Sequence, residues 1–290
     1  MTAIFKRELR SYFRGMTGYV FIALFLAVLG IYVSAICLNY HSPKFEYIYF
    51  NTTFIFLIAV PVLSMRSIAE ERRQKTDQLL YSLPISTAEI VLGKYFAMLC
   101  VFAIPVLVSC LFPLILLPFD PSGLLSLATI YSSALAYFLL GAALISIGLF
   151  MSSLTENQII AALVSFVAML ICYLMGQLKD MLPSTAAATA IVFAFLSALL
   201  SLLVFFVTKS RTAGWLIFIV LEAPIIVISF AKTTLLEGLL PKVFGVLSVF
   251  DRFYTFADGL FDGTSIIYFL SVAALFVVFT VQSMEKRRWS

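Results

Sequence analysis

Charge is what this chain has least of. Only 12% of its 290 residues are Asp, Glu, Lys or Arg, against about 25% in a soluble domain. So few charges cannot cover a water-exposed surface, which excludes an ordinary soluble fold and makes lipid the solvent for most of the chain. Cysteine is also sparse. Cys37, Cys100, Cys110 and Cys172 all lie within or at the end of apolar runs, and no C-x-x-C pair exists. A disulfide framework is not expected, and small apolar packing roles are. His41 is the single histidine, placed in the turn 39–43 with no other ligand types converging on it in sequence, so a plain loop residue is expected rather than a metal site. No nucleophile–base pair and no paired carboxylates stand out, so no enzyme site is visible. A phosphate-cradling loop of the form G-x-x-x-x-G-K-[ST] is missing as well. The one Gly-Lys pair, Gly93-Lys94, is followed by Tyr95 and has Ala88 where the first glycine belongs. No nucleotide, cofactor or metal site is expected in the chain itself.

What is present is apolar: 62% hydrophobic residues, with 29 Phe. A membrane span needs about 20 mostly apolar residues. Eight runs qualify, near 18–38, 48–65, 95–117, 124–151, 158–178, 186–208, 213–231 and 264–283. The runs are continuous rather than alternating, which excludes a transmembrane β-barrel. The first is too long for the core of a cleavable signal peptide, roughly 7–15 residues, and reads as a retained span. The expected fold is therefore all-α, a polytopic helical membrane protein of about eight spans in one domain covering 1–290. The net charge of +4 does not indicate nucleic acid, because the basic residues fall in short clusters between apolar runs, where they set orientation and touch anionic lipid. With the N-terminus inside, the inner segments hold 14 of the Lys and Arg residues and the outer segments 5. That bias predicts both termini on the inner side.

Local signals refine the picture. In residues 1–14, Phe5, Leu9, Tyr12 and Phe13 recur at helical spacing among Lys6, Arg7, Arg10 and Arg14. This predicts an interfacial helix lying in the headgroup plane; a merely basic, orienting N-terminus is the other reading. Ser86 with Glu89, and Ser153 with Glu156, fit capping boxes before the third and fifth spans. Ser184 and Asp262 fit N-caps. Ala134, Gly141 and Gly148 form a row of small residues that lets a neighbouring helix approach within one chain. The segment 232–263, outer on this topology, predicts short amphipathic or re-entrant helices, with Phe250, Phe253, Ala257 and Leu260 on one apolar face and Asp251 and Asp258 off it.

Glu222 is the one charged residue inside an apolar run. A carboxylate there costs about 2.5–3.5 kcal/mol on insertion scales, and Pro224 kinks the helix beside it. It is either a substrate or proton contact facing the interior or a protonated, hydrogen-bonded packing residue. A re-entrant 213–231 is a third arrangement, which would put the basic C-terminus outside.

The densest charges lie in the inner region 66–94, from Met65-Arg66 through Glu70-Glu71-Arg72-Arg73, Lys75, Thr76-Asp77 and Leu79-Leu80 to Pro84. This stretch predicts a helix of roughly four turns or a bent pair, stopped before Pro84. A short charged helix tipped by Leu79, Leu80 and Leu83 suits docking into a groove on a soluble partner. Equally, it suits a solvated loop laced by pairs such as Glu71–Lys75.

The stretch resembles the coupling region of ABC-2-type exporter permeases, especially the gliding-motility and nitrous-oxide-accessory groups. Their pattern is roughly M-R-x-x-x-E-E-R-x-x-G-T-x-E-L-L-x-x-P, then G-K-Y. The chain matches at Met65, Arg66, Glu70, Glu71, Arg72, Thr76, Leu79, Leu80, Pro84, Gly93 and Lys94. It departs at Lys75, where the family usually has Gly, and at Asp77, where Glu is usual. Phe250-Asp251-Arg252-Phe253, Gly259, Asp262, Tyr268-Phe269 and the closing Met284-Glu285-Lys286-Arg287-Arg288-Trp289 are similar to the same group. The resemblance covers 1–178 and 245–290, and the family's usual six spans leave an extra pair near 186–231.

The resemblance implies a permease of an ABC exporter in a bacterial cytoplasmic membrane. It implies a separate ATP-binding subunit that carries ATP and Mg, and two permease copies per complex. Glu70, Glu71, Arg72, Arg73, Thr76, Asp77, Leu79 and Leu80 would contact that subunit. Ser153, Thr155 and Glu156 form a second contact candidate, with helix capping as their other role. The alternatives are a motor-independent carrier or channel using Glu222, and a membrane assembly factor without transport.

Overall fold

The computed structural model describes residues 1–39, 45–77, 85–119, 126–181, 185–186, 189–195, 197–198, 201, 220 and 237–289. Among them there is no strand. The chain divides into two compact units, one of Met1–Tyr173 with Val249–Ser290 and one of Leu174–Ser248.

Among the described residues, six helices are long and apolar enough to cross a membrane: Met16–Cys37, Glu46–Arg73, Thr87–Leu116, Leu127–Ser153, Gln158–Lys179 and Gly263–Arg287. They correspond to six of the eight expected runs. The other two, 186–208 and 213–231, lie largely outside the described residues, as does Glu222. His41 and Ser184 are outside them too.

In chain order the helices are α1 (Thr2–Arg14), α2 (Met16–Val33), α3 (Glu46–Thr52) and α4 (Phe56–Ser64), then α5 (Ala69–Arg73), α6 (Thr87–Ser109) and α7 (Phe112–Leu116). α8 (Leu127–Ser153), α9 (Gln158–Met181), α10 (Leu239–Leu247), α11 (Asp251–Ala257) and α12 (Gly263–Trp289) follow. α10 belongs to the second unit, and Gly238 enters it at φ +69°, a conformation that glycine adopts without a Cβ clash.

In the first unit α8 is the central helix. α12 packs along it most extensively, and α3, α4, α6 and α11 cover the rest. The row of small residues is part of the reason. A Cβ on Gly141 would lie 2.2 Å from the Phe102 ring, and one on Gly148 2.6 Å from Ser64 Oγ. Glycine at these points lets α6 and α4 sit against the α8 backbone, so the row serves packing inside one chain. Part of the abundant Phe goes to the same core. Phe25, Phe56, Phe102 and Tyr137, one from each of α2, α4, α6 and α8, are fully buried. Their ring centroids lie 4.8–6.0 Å apart, which is edge-to-face packing distance. Several polar side chains in this core are hydrogen-bonded, which offsets the cost of burying them in an apolar environment. Tyr137 Oη donates to Thr52 Oγ1 (3.2 Å), Tyr95 Oη donates to the Ala142 carbonyl (3.1 Å), and Tyr49 Oη and Ser109 Oγ share a bond of 2.9 Å.

The helix-start signals divide. Ser86 Oγ accepts from Glu89 N–H at 3.3 Å and begins α6. Asp262 accepts from Thr264 N–H at 2.9 Å and begins α12; hydrogen bonds from the Ser265 and Thr264 side chains hold its carboxyl down at about 2. The box read at Ser153 and Glu156 is corrected. Ser153 closes α8, donating to the Phe150 carbonyl, and Asn157 Oδ1 accepts from Ile159 N–H at the start of α9. α8 runs through Ser153 itself, and α9 begins at Gln158, four residues after the start that a cap at Ser153 would set.

The outer segment holds α11, whose buried side is Phe253, Phe256 and Ala257, preceded by buried Phe250. Leu260, expected on that face, is 66% exposed. The helix ends at Ala257 and Gly259 turns the chain at φ +84°, so helical spacing no longer applies at Leu260. Ser133 Oγ of α8 donates to the Phe256 carbonyl (2.9 Å) and ties α11 to the bundle.

Candidate functional site

The charged inner segment folds because a distant helix caps it. The chain leaves α4, turns through Met65–Ile68, and starts α5. The hydroxyl of Ser152, in the last turn of α8, accepts from Ile68 N–H (3.3 Å) and Ala69 N–H (3.2 Å) and donates to the Met65 carbonyl (3.3 Å). Two of the free N–H groups that every helix start leaves are thus met by a side chain more than eighty positions away. Within α5 the acids Glu70 and Glu71 stand in the first turn and Arg72 and Arg73 in the last, the order that the helix dipole favours. α5 ends after five residues, at a turn in which Lys75 takes φ +56°. Thr76 N–H returns to the Glu71 carbonyl at 3.0 Å. A bend therefore forms where Lys75 stands, and no four-turn helix does.

A second link comes from α6. Gly93 faces α1, where an added Cβ would come within 3.0 Å of the Ile4 side chain. Its absence lets α1 lie on α6 with Ile4, Glu8 and Tyr12 buried as one face. The next residue, Lys94, is 1% exposed. Its ammonium meets three oxygens: Ser67 carbonyl at 2.7 Å, Glu71 Oε2 at 2.9 Å and Glu8 Oε1 at 3.1 Å. Three donors find three acceptors. Arg7 closes the set, 2.7 Å from Glu8 and 2.6 Å from Glu71. Two acids and two bases form a neutral, interlocked group that joins α1, the inner segment and α6. Burial alone would raise the Glu8 carboxyl; Lys94 and Arg7 overcome it and hold the group below its ordinary value.

Three further links follow. Arg72 is buried and donates to the Ser153 carbonyl at the end of α8. Asp77 is buried and lies 3.7 Å from Arg287 of α12, which in turn pairs with Glu156 at 2.6 Å. Thr87, at the start of α6, donates to Glu285 of α12 at 2.7 Å. The inner segment is thereby fastened by side chains to α1, α6, α8 and α12 at one end of the bundle.

The expected contact residues separate by orientation. Glu71, Arg72 and Asp77 turn inward. Glu70 is partly exposed in a two-pronged pair with Arg66, at 2.9 and 3.2 Å. Thr76 is half-buried. Arg73, Gln74 and Lys75 form the exposed tip. Leu79 and Leu80 lie outside the described residues. Ser153 serves through its carbonyl, Thr155 Oγ1 accepts from Asn157 N–H at 3.1 Å, and Glu156 pairs with Arg287. Glu8, Ser152 and the linking role of Lys94 did not emerge from sequence reasoning. A signal existed for two of them. Glu8 is the one acid in the basic stretch 1–14, and Lys94 stands within a turn of a long apolar run.

Among the described residues no group of three or more His, Cys, Asp or Glu side chains is placed to hold a metal, and the four cysteines are free thiols.

Residues 41–178 match the sequence model of one protein family, described as ABC-2 family transporter protein. The matched stretch contains the whole inner segment, Gly93, Lys94 and Ser152. With six membrane-length helices, it supports an integral membrane permease of the ABC-transporter kind. Comparison with curated proteins and with solved structures gives no match.

Proposed function

We propose that this chain is the membrane-spanning permease subunit of an ABC exporter, driven by a separate ATP-binding subunit that docks on residues 66–77. ATP and Mg belong to that partner, and two permease copies pair with two motor subunits in a bacterial cytoplasmic membrane, as the gliding-motility and nitrous-oxide-accessory resemblance implies. The exposed tip Arg73–Lys75, with Glu70 beside it, is the contact surface. The inward residues carry the motion. A push on the tip reaches α6 through Glu71 and Lys94, α8 through Arg72 and the Ser153 carbonyl, and α12 through Asp77 and Arg287. Ser153, Thr155 and Glu156 act behind the contact, by holding Arg72, the start of α9 and Arg287.

The observation that carries this reading is the contrast within one short segment. Its tip is exposed, while its flanks are fastened to three spans. A solvated loop has no need of such fastening.

The test uses the whole complex. Arg73→Glu with Lys75→Glu reverses two exposed charges, and substitutions of that kind leave folding within about 0.5 kcal/mol. The expected result is an unchanged melting temperature for the permease alone, with co-purifying ATPase activity reduced at least tenfold. Full retention of the ATPase by this variant removes the proposed contact surface. A native complex without any nucleotide hydrolase removes the reading altogether.

A further inference from the structure

Beside the interlocked charges is an open cleft of about 920 Å³ between α1 and the segment 66–76. That volume is within the range of small-molecule sites, roughly 300–1,000 Å³. Its walls include Lys6, Arg10, Ser11, Arg14, Thr17 and Gln74. The acids that also line it are already neutralised: Glu8 and Glu71 by Arg7 and Lys94, and Glu70 by Arg66. Lys6, Arg10 and Arg14 are exposed and form no ion pair among the described residues. They recur every fourth position, about 6 Å apart along the helix, so the cleft holds an uncompensated line of three positive charges.

The position of the cleft indicates what fills it. Arg14, Gly15 and Thr17 line it where α1 gives way to the first membrane span. Within the next turn Met16, Tyr19 and Val20 are 82%, 59% and 52% exposed. A ligand seated among the cations thus continues directly onto an apolar, membrane-facing surface. An anionic headgroup with acyl chains has that shape. A soluble acidic peptide does not require the apolar continuation, and a free phosphate leaves it uncovered.

We infer that this cleft is a binding site for the phosphate headgroup of an anionic phospholipid, gripped by Lys6, Arg10 and Arg14 with its acyl chains along the first turns of α2. The site rests on α1 lying at the membrane surface and is independent of whether an ATPase docks on Arg73–Lys75. Hydroxyls of Ser11 and Thr17 supply neutral donors to the phosphate oxygens.

Native mass spectrometry of the full-length protein in non-ionic detergent, incubated with equal amounts of phosphatidylglycerol and phosphatidylcholine, tests the inference. Wild type is expected to retain phosphatidylglycerol preferentially. Each neutralised cation is expected to weaken that retention about fivefold, so Lys6→Gln/Arg10→Gln/Arg14→Gln loses the preference. Arg10→Lys with Arg14→Lys keeps the charge and retains it, which separates loss of binding from loss of folding. An undiminished preference in the triple variant overturns the inference. So does binding of glycerol 1-phosphate alone at the affinity of the whole lipid, which would mark a soluble-anion site. Loss of the ATPase with unchanged lipid retention in the triple variant also overturns it, in favour of an acidic protein partner.

Discussion

Lys94 shows how much one residue can hold. It brings a full charge into a place 1% exposed, which is unfavourable unless oxygens surround it. Glu8 of α1 and, from the inner segment, Glu71 and the Ser67 carbonyl do so. Replacing Lys94 with Met removes the central cation and leaves two partly buried carboxylates sharing Arg7. Removing one partner of a buried pair costs about 3–5 kcal/mol; because Arg7 remains, about 2–3 kcal/mol is expected for Lys94→Met, read as a lowered melting temperature in detergent. Adding Glu8→Gln to it should cost less than the two separate losses together, since the second change removes a charge the first left stranded. The pH response has a definite sign. The Glu8 carboxyl sits below its ordinary value of 4.5 in the fold, so its contribution is complete above that value and is lost as pH falls through the lower folded value. In Lys94→Met burial acts on Glu8 with less opposition, and the acid loss should begin at higher pH. An unchanged acid midpoint would show that Glu8 does not sense Lys94.

At the scale of elements, sequence patterns succeeded where the determining contacts are local and failed where they are not. The cap at Ser86 was legible because its partner, Glu89, is three residues away. At Ser153 the same spacing of Ser and Glu misled. Ser153 is held at the end of α8, Glu156 turns to Arg287, and Asn157 does the capping, none of which a four-residue window contains. The inner segment is intermediate. Its charges marked it out, yet its bend depends on Lys75, which adopts φ +56°, and on Ser152, which caps it from another helix. A left-handed conformation costs a non-glycine residue about 1–2 kcal/mol, against a glycine disadvantage of roughly 0.5–1 kcal/mol from its freer unfolded state. Lys75→Gly, the residue usual in the resembling family at this point, should therefore stabilise the chain by about 0.5–1 kcal/mol. A rise in melting temperature of roughly 1–3 °C is the expected signature. A fall would mean that the Lys75 side chain contributes more than its backbone costs.

For the molecule as a whole, hydrophobic runs and charge asymmetry made the membrane class, the helical fold and six span positions legible, because each depends on composition over about 20 residues. Which helices touch was not legible, since continuous apolar runs carry no face. Gly141, Gly148 and the Phe102 ring choose the neighbours by shape alone. The geometry does add a constraint on topology. Arg7 meets Glu71, Thr87 meets Glu285 and Glu156 meets Arg287, so α1, the segments that follow α4 and α8, and the end of α12 share one end of the bundle. α11 and the start of α12 are at the other, a 27-residue helix away, about 40 Å at 1.5 Å per residue. The excess of Lys and Arg at the first end predicts that it faces the cytoplasm. In a chain with its four cysteines replaced by serine, Gln74→Cys, Thr155→Cys and Lys286→Cys should all react with a membrane-impermeant maleimide in inside-out vesicles alone. Asp258→Cys should react in right-side-out vesicles alone. Labelling of Gln74→Cys and Lys286→Cys from opposite faces would break the shared end and, with it, any route from the inner segment through Arg287 into the last span. The reverse pattern, with all three reacting from outside, would leave the bundle intact and put the coupling surface beyond the reach of a cytoplasmic motor.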